Sequence, residues 1–183
     1  YSNDFSIWDL ESVNHYKDQS DIFFTCHEFS YNKIAEAYEP YLGLIRQMFH
    51  RYCSGTLEEF MEECDVYKLQ RPVFESYFEK GFCERTEQIL IDEVEYEQER
   101  MRNSIVTMLQ KLSEIRPVVI VLNRFQLASK STMQLSNSLL QVKNKNIGIV
   151  LGVNDVQSIP EFAHEEWDAI CESCLFYTSP SPR

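Results

Sequence analysis

The residues of chemical interest in this sequence stand where aliphatic runs end. Val118-Val-Ile-Val-Leu122 stops at Asn123 and Arg124, and a short loop then delivers Ser131 and Thr132 to a helix-like stretch. A divalent cation held at the tip of such a strand needs carboxylate oxygens, because hard cations bind through charged oxygen ligands. Asn123 offers only a neutral carbonyl, and Arg124 adds a positive charge beside it. A magnesium site built here would be impaired. His27 follows another apolar and aromatic run, Asp21-Ile-Phe-Phe-Thr-Cys26. Parallel sheets bind ligands at strand tips of that kind, which makes His27 a candidate ligand-edge residue by analogy of fold. Asn154, after the run Ile147-Gly-Ile-Val-Leu151, is also a common type of turn residue.

Three further groupings have suggestive spacing and plainer explanations. The acids of Asp92-Glu-Val-Glu-Tyr-Glu-Gln-Glu99 could form a metal or acid–base cluster, but on a helix they spread around the solvent face. His164 and Asp168 are at i,i+4, the spacing of two metal ligands, yet no third ligand accompanies them. An intrahelical hydrogen bond is the expected pairing. Cys171 and Cys174 form a CxxC, but a single pair lacks the second ligand pair of a structural zinc and the strand-then-helix setting of a thioredoxin site. No nucleophile stands beside a base, which makes an independent small enzyme the weakest class.

These residues need elements to position them. The run Asp21–Cys26 reads as a buried strand. From Tyr38 the period becomes helical, with Tyr41, Leu42, Ile45, Met48, Phe49 and Tyr52 on one face and Pro40 in the first turn. Thr56-Leu-Glu-Glu59 is a capping box, predicting a helix to about Cys64. Pro72 opens a third helix, and Gly81 is placed to end it. No Pro or Gly interrupts Glu84 to Ile115, which permits one long helix or two joined by a bend, with Leu90, Val94, Met101, Ile105, Met108, Leu109 and Leu112 as the buried stripe. Arg116-Pro117 ends that helix. After it come the strand Val118 to Leu122, a helix from about Ser131 to Gln141, the strand Ile147 to Leu151, and a last helix from Pro160 to Ile170. Two aliphatic strands joined by a helix make a βαβ unit, and strands so apolar should be parallel and covered on both faces.

The chain has 183 residues, 44% of them hydrophobic, enough for one ordinary core. Its 29 acids against 17 bases give a formal charge of -12, which repels phosphate backbones and anionic lipid and argues against direct nucleic-acid or membrane binding. No run reaches the roughly 18 apolar residues of a membrane span, and the first residues lack a signal-peptide pattern. The cytoplasm is the expected compartment, with the six cysteines reduced. The tail Cys174-Leu-Phe-Tyr-Thr-Ser-Pro-Ser-Pro-Arg183 resembles CLLYTSPSPR, a translated transposon-adapter sequence. Residues 174–183 are accordingly expected to be a disordered, non-native tail, which removes Cys174 from any site.

Val119 to Thr132 resembles, in register, a pattern of signalling ATPases: four apolar residues, two acids, an apolar residue, His, two residues, Asp, and a Ser or Thr opening the next helix. Asn123 and Arg124 replace the acids of this Walker B segment, Gln126 the His, and Ser129 the later Asp. Asn146-Ile-Gly-Ile-Val-Leu-Gly-Val-Asn154 is similar to the next strand of those proteins, whose tip senses the γ-phosphate, a role that would fall to Asn154. Thr25-Cys-His-Glu-Phe followed by Ala37-Tyr-Glu-Pro-Tyr-Leu is similar to the second strand and next helix of AAA-type STAND ATPases. The resemblance runs from about Asp21 to Ile170. It points to origin-recognition-like modules of large bacterial, clostridial regulators, which often carry helical repeats and a GGDEF diguanylate cyclase domain.

The resemblance implies an α/β fold: an incomplete P-loop-type parallel sheet of three strands flanked by helices, with a helical insertion at about 36–115, in one partial ATPase-like domain over 1–173. The Val118 strand should be central, between those of Ile22 and Ile147. The phosphate loop GxxxxGK(S/T) is missing, since none of the five glycines precedes Lys, and a fragment starting after the phosphate-loop strand is expected. The resemblance thus implies a degenerate module of a cytoplasmic signalling or transcriptional regulator, a nucleotide-dependent or vestigial switch. ATP and magnesium would belong to a full-length protein and no cofactor to this chain. Its partners would be other domains of its own chain or another protein. The rival is a non-catalytic interaction module with an acidic helical surface.

Overall fold

The computed structural model describes residues 21–32, 37–80, 94–154 and 159–173. Within them the order is β1 (Phe23–Glu28), α1 (Glu39–Tyr52), α2 (Leu57–Glu63), α3 (Arg71–Lys80), α4 (Val94–Ile115), β2 (Val118–Asn123), α5 (Lys130–Val142), β3 (Ile147–Leu151) and α6 (His164–Ser173). Short 3₁₀ turns at Phe125–Leu127 and Glu161–Ala163 precede α5 and α6. The fold is α/β, with a three-stranded sheet ordered β1-β2-β3 and both pairings parallel. The central place expected for the Val118 strand is the one it occupies. No helix among the described residues is long and apolar enough to cross a membrane.

Local chemistry accounts for the helix limits. Pro40 lies in the first turn of α1, where its missing N–H costs nothing. Thr56 and Glu59 form the reciprocal capping box of α2: the Thr56 N–H donates to Glu59 Oε2 at 2.8 Å, and the Glu59 N–H to Thr56 Oγ1 at 3.2 Å. Those bonds from Thr56 hold the Glu59 carboxyl below its ordinary pKa. Helix α4 stops at Ile115, one residue before the Arg116-Pro117 pair. The last helical segment differs from its expected form. Pro160 opens a 3₁₀ turn, and the α-helix proper begins only at His164. Gly81, Leu90 and the tail from Cys174 lie outside the described residues.

The core forms on one face of the sheet. Val118, Ile120 and Leu122 point into it with Phe23 and meet Tyr41, Ile45 and Met48 of α1 and Ile105, Met108, Leu109 and Leu112 of α4. Helix α1 packs on α4, α4 on α5, and α5 on α6. The opposite face departs from the expectation of two fully covered faces. Val121 is buried there, but Phe24, Val119 and Val150 are only half-buried and Gly148 is exposed. Gly148 leaves no side chain at that point, and a Cβ added to it would lie 3.5 Å from Val119 Cγ2. The aliphatic run of β2 therefore reports its central position more than equal burial.

This asymmetry has a measurable consequence. Ile120→Ala removes a fully buried side chain and should cost about 2–5 kcal/mol, whereas Val119→Ala should cost less than about 1.5 kcal/mol. Urea unfolding at equilibrium checks both. Equal losses would show that the two faces are packed alike.

Candidate functional site

Parallel pairing brings the tips of the three strands together. Glu28 lies in register with Asn123, and His27 with Leu122, which in turn pairs with Leu151. Beyond the strands the backbone continues to tie them: the Phe29 N–H donates to Asn123 O at 3.1 Å, Gly152 N–H to Leu122 O at 2.8 Å, and Phe125 N–H to Gly152 O at 2.9 Å. The chain leaving β2 is thus bonded to both neighbours. Asn154, three residues past β3, is exposed.

Each candidate side chain has a definite setting. The Asn123 carboxamide nitrogen faces Cys26 Sγ at 3.8 Å, a weak contact. Arg124 adopts the left-handed conformation with φ 54, uncommon for a residue with a Cβ, and its Nε lies 3.3 Å from Glu28 Oε1. The guanidinium that would repel a cation is thereby matched by a carboxylate from the adjacent strand. Gln126 is 1% exposed, and neither end of its carboxamide reaches a protein partner. A polar group buried in that way costs about 1–3 kcal/mol unless water reaches it. The His27 ring packs edge-on against Phe29 with centroids 4.6 Å apart, and Phe29 continues to Phe125 and Phe125 to Trp167. His27 is therefore the outer end of an aromatic row that runs into the core.

The hydroxyls after β2 serve packing. Ser129 caps α5, accepting from the Thr132 N–H at 3.3 Å. Thr132 Oγ1 lies 2.9 Å from Ser129 Oγ and accepts from the Tyr38 N–H at 3.2 Å. Ser136 donates to Thr132 O at 2.8 Å and bonds the Tyr41 hydroxyl. Burial raises the pKa of Tyr41, and the bond to Ser136 offsets part of that. This chain of bonds sutures α1 to α5. It also holds Tyr38, left-handed at φ 60, at the start of α1.

The remaining sequence candidates are placed as follows. His164 Nε2 lies 3.0 Å from Ile159 O, so its ring reaches back across the preceding turn and not along the helix to Asp168 as expected. Glu97 is engaged by Gln70 and Arg100, while Asp92 lies outside the described residues. Cys53 and Cys64 are free thiols, and burial pushes Cys64 up to about 12. Glu28 is the site residue that sequence reasoning missed. Its signal was its place two residues after Cys26, visible only once the register with Asn123 is known.

Among the described residues no three or more His, Cys, Asp or Glu side chains gather to hold a metal. The groups that the described residues bring to the β2 tip are an amide, a guanidinium and one carboxylate already paired with that guanidinium. This set does not fit a magnesium ion, which binds through carboxylates and phosphate oxygens. No protein family, curated protein or solved structure matches the chain.

The left-handed turn at Arg124 can be isolated from its ion pair. Arg124→Ala and Arg124→Gly both remove the guanidinium, but only glycine tolerates the conformation without strain. The glycine variant should be more stable than the alanine variant by about 1 kcal/mol. Urea midpoints measure the difference, and equal stability would mean that the turn is not held left-handed in solution.

Proposed function

We propose that the chain is a degenerate ATPase-type module of a cytoplasmic signalling or transcriptional regulator, similar to the STAND and AAA-type switches, in which an internal ion pair has taken over the place of cation chemistry. The observation that carries this reading is Arg124 bound to Glu28 at the tip of the central strand, the place where the resembled switches keep their acids. The parallel order β1-β2-β3 supports it, as do Ser129, committed to capping α5, and Thr132, committed to the start of α1. The module acts through shape, relaying a partner's or neighbouring domain's state along packed helices, and it does not turn over ATP. Magnesium-nucleotide chemistry would need charges that Asn123 and Arg124 do not supply.

Two measurements on the chain test this. Isothermal titration with magnesium and ATP should give no heat at millimolar ligand, and phosphate release should match buffer. The Asn123→Asp/Arg124→Asp double variant releases Glu28 and sets two new carboxylates beside it. Magnesium alone should then raise the thermal midpoint of that variant, as any ligand of the native state does, while leaving the parent unchanged. Hydrolysis by the parent at ordinary enzyme rates, or a magnesium-dependent midpoint in the parent, would overturn the proposal.

A further inference from the structure

Far along the chain from the strand tips, the loop between α2 and α3 meets the first turns of α4 and builds an exposed aromatic group. Tyr67 and Tyr96 stand on either side of Arg100, whose guanidinium carbon lies 4.0 Å from one ring centroid and 4.2 Å from the other. Arg100 also donates to the Tyr96 hydroxyl at 2.8 Å and pairs with Glu97 at 3.6 Å. Beneath this stack the loop is fastened to α4. The buried Gln70 carboxamide donates to Glu97 O at 3.2 Å and accepts from Ser104 Oγ at 3.1 Å. Despite this anchoring, Tyr67 is 40% exposed, Tyr96 55% and the adjacent Leu69 74%.

Large apolar surface is normally hidden, and rings that are both exposed and held rigid have already lost much of the freedom that binding would cost. Tyrosine and arginine are also the residue types that dominate interface energetics. We propose that this face is a docking surface for a basic segment of another protein, one that presents Lys or Arg beside an apolar side chain.

The partner's character follows from charge. Glu62 pairs with Arg71 and Glu97 with Arg100. The charges that flank the group in the chain are then Glu63, Asp65 and Glu99 against Lys68, all exposed, a surplus of two negative charges. Arg100 already occupies one face of each ring, so a partner's cation meets the faces turned away from it, Leu69 supplies the apolar contact, and the surrounding acids attract the segment electrostatically. A second copy of this chain, at a formal charge of -12, meets repulsion instead, and so do nucleic acid and anionic lipid. The inference uses none of the strand-tip residues and stands apart from the reading of that site.

The test uses three synthetic peptides as probes: an amphipathic Lys/Leu helix, its Glu/Leu counterpart, and a Lys/Ser peptide of equal charge. Fluorescence anisotropy at physiological salt should show that the full chain binds the Lys/Leu peptide and neither of the others. Leu69→Ser and Tyr96→Ala should each weaken that binding about tenfold or more without moving the thermal midpoint by more than a few degrees, because both side chains lie outside the core. Glu114→Gln, exposed on the same helix and about 21 Å from Arg100 at 1.5 Å per residue, should leave binding within about twofold, as distant screened charges do. Equal binding of the Lys/Ser peptide, indifference to both surface variants, or absence of binding would overturn the proposal. A concentration-dependent dimer abolished by Tyr96→Ala would also overturn it, assigning the face to a second copy.

Discussion

The double pairing of β2 is the constraint on which the rest of the structure depends. Every residue from Val118 to Leu122 has a partner in both β1 and β3, so the central strand cannot slip by one position without turning Val118, Ile120 and Leu122 out of the core. That register also decides the chemistry at the tips. Glu28 comes to Asn123, Arg124 follows at once, and the ion pair forms because two strands distant in sequence end at the same height. The backbone bonds of Phe29, Phe125 and Gly152 close the tips over this point.

The ion pair contributes specificity more than stability. Arg124 and Glu28 keep 24% and 50% of their side-chain surface in contact with solvent, and exposed pairs are worth about 0–1 kcal/mol. Its importance is electrostatic: it sets the Glu28 carboxylate against the Arg124 guanidinium, so that among the described residues the β2 tip has neither a cluster of carboxylates for a cation nor an uncompensated guanidinium for phosphate. The hydroxyl network from Tyr38 through Thr132 and Ser136 to Tyr41 has a different effect. It ties the start of α1 to α5, so a shift of either helix would be felt at the other, as a shape-based relay requires.

Legibility in the sequence followed apolarity and caps. Strand β3 lies where its aliphatic run predicts, and α2 begins where Thr56 and Glu59 announce it. Strand β1 is displaced by two residues at each end, from the expected Asp21–Cys26 to Phe23–Glu28, because His27 and Glu28 are polar and only their pairing with β2 makes them strand. Tyr38 was expected inside α1 but stands before it, left-handed at φ 60, with its N–H donating to Thr132 of α5. The strand-tip candidates Asn123, Arg124 and His27 gather at one end of the sheet, as apolar runs ending in polar residues imply. The pairing of Arg124 with Glu28 and the burial of Gln126 were not legible. Both are fixed by long-range register and packing, to which residue type gives no clue.

The central claim is that protein groups, and no bound ion or nucleotide, hold the tips of the sheet in place. Amide hydrogen exchange at Phe29, Phe125 and Gly152 measures it most directly, because their N–H groups form the bonds that close the tips and exchange reports local opening. Protection at these three sites should be the same in chelator as with millimolar magnesium and ATP, and should fall in Arg124→Ala. Protection that rises on adding magnesium and ATP would contradict the account.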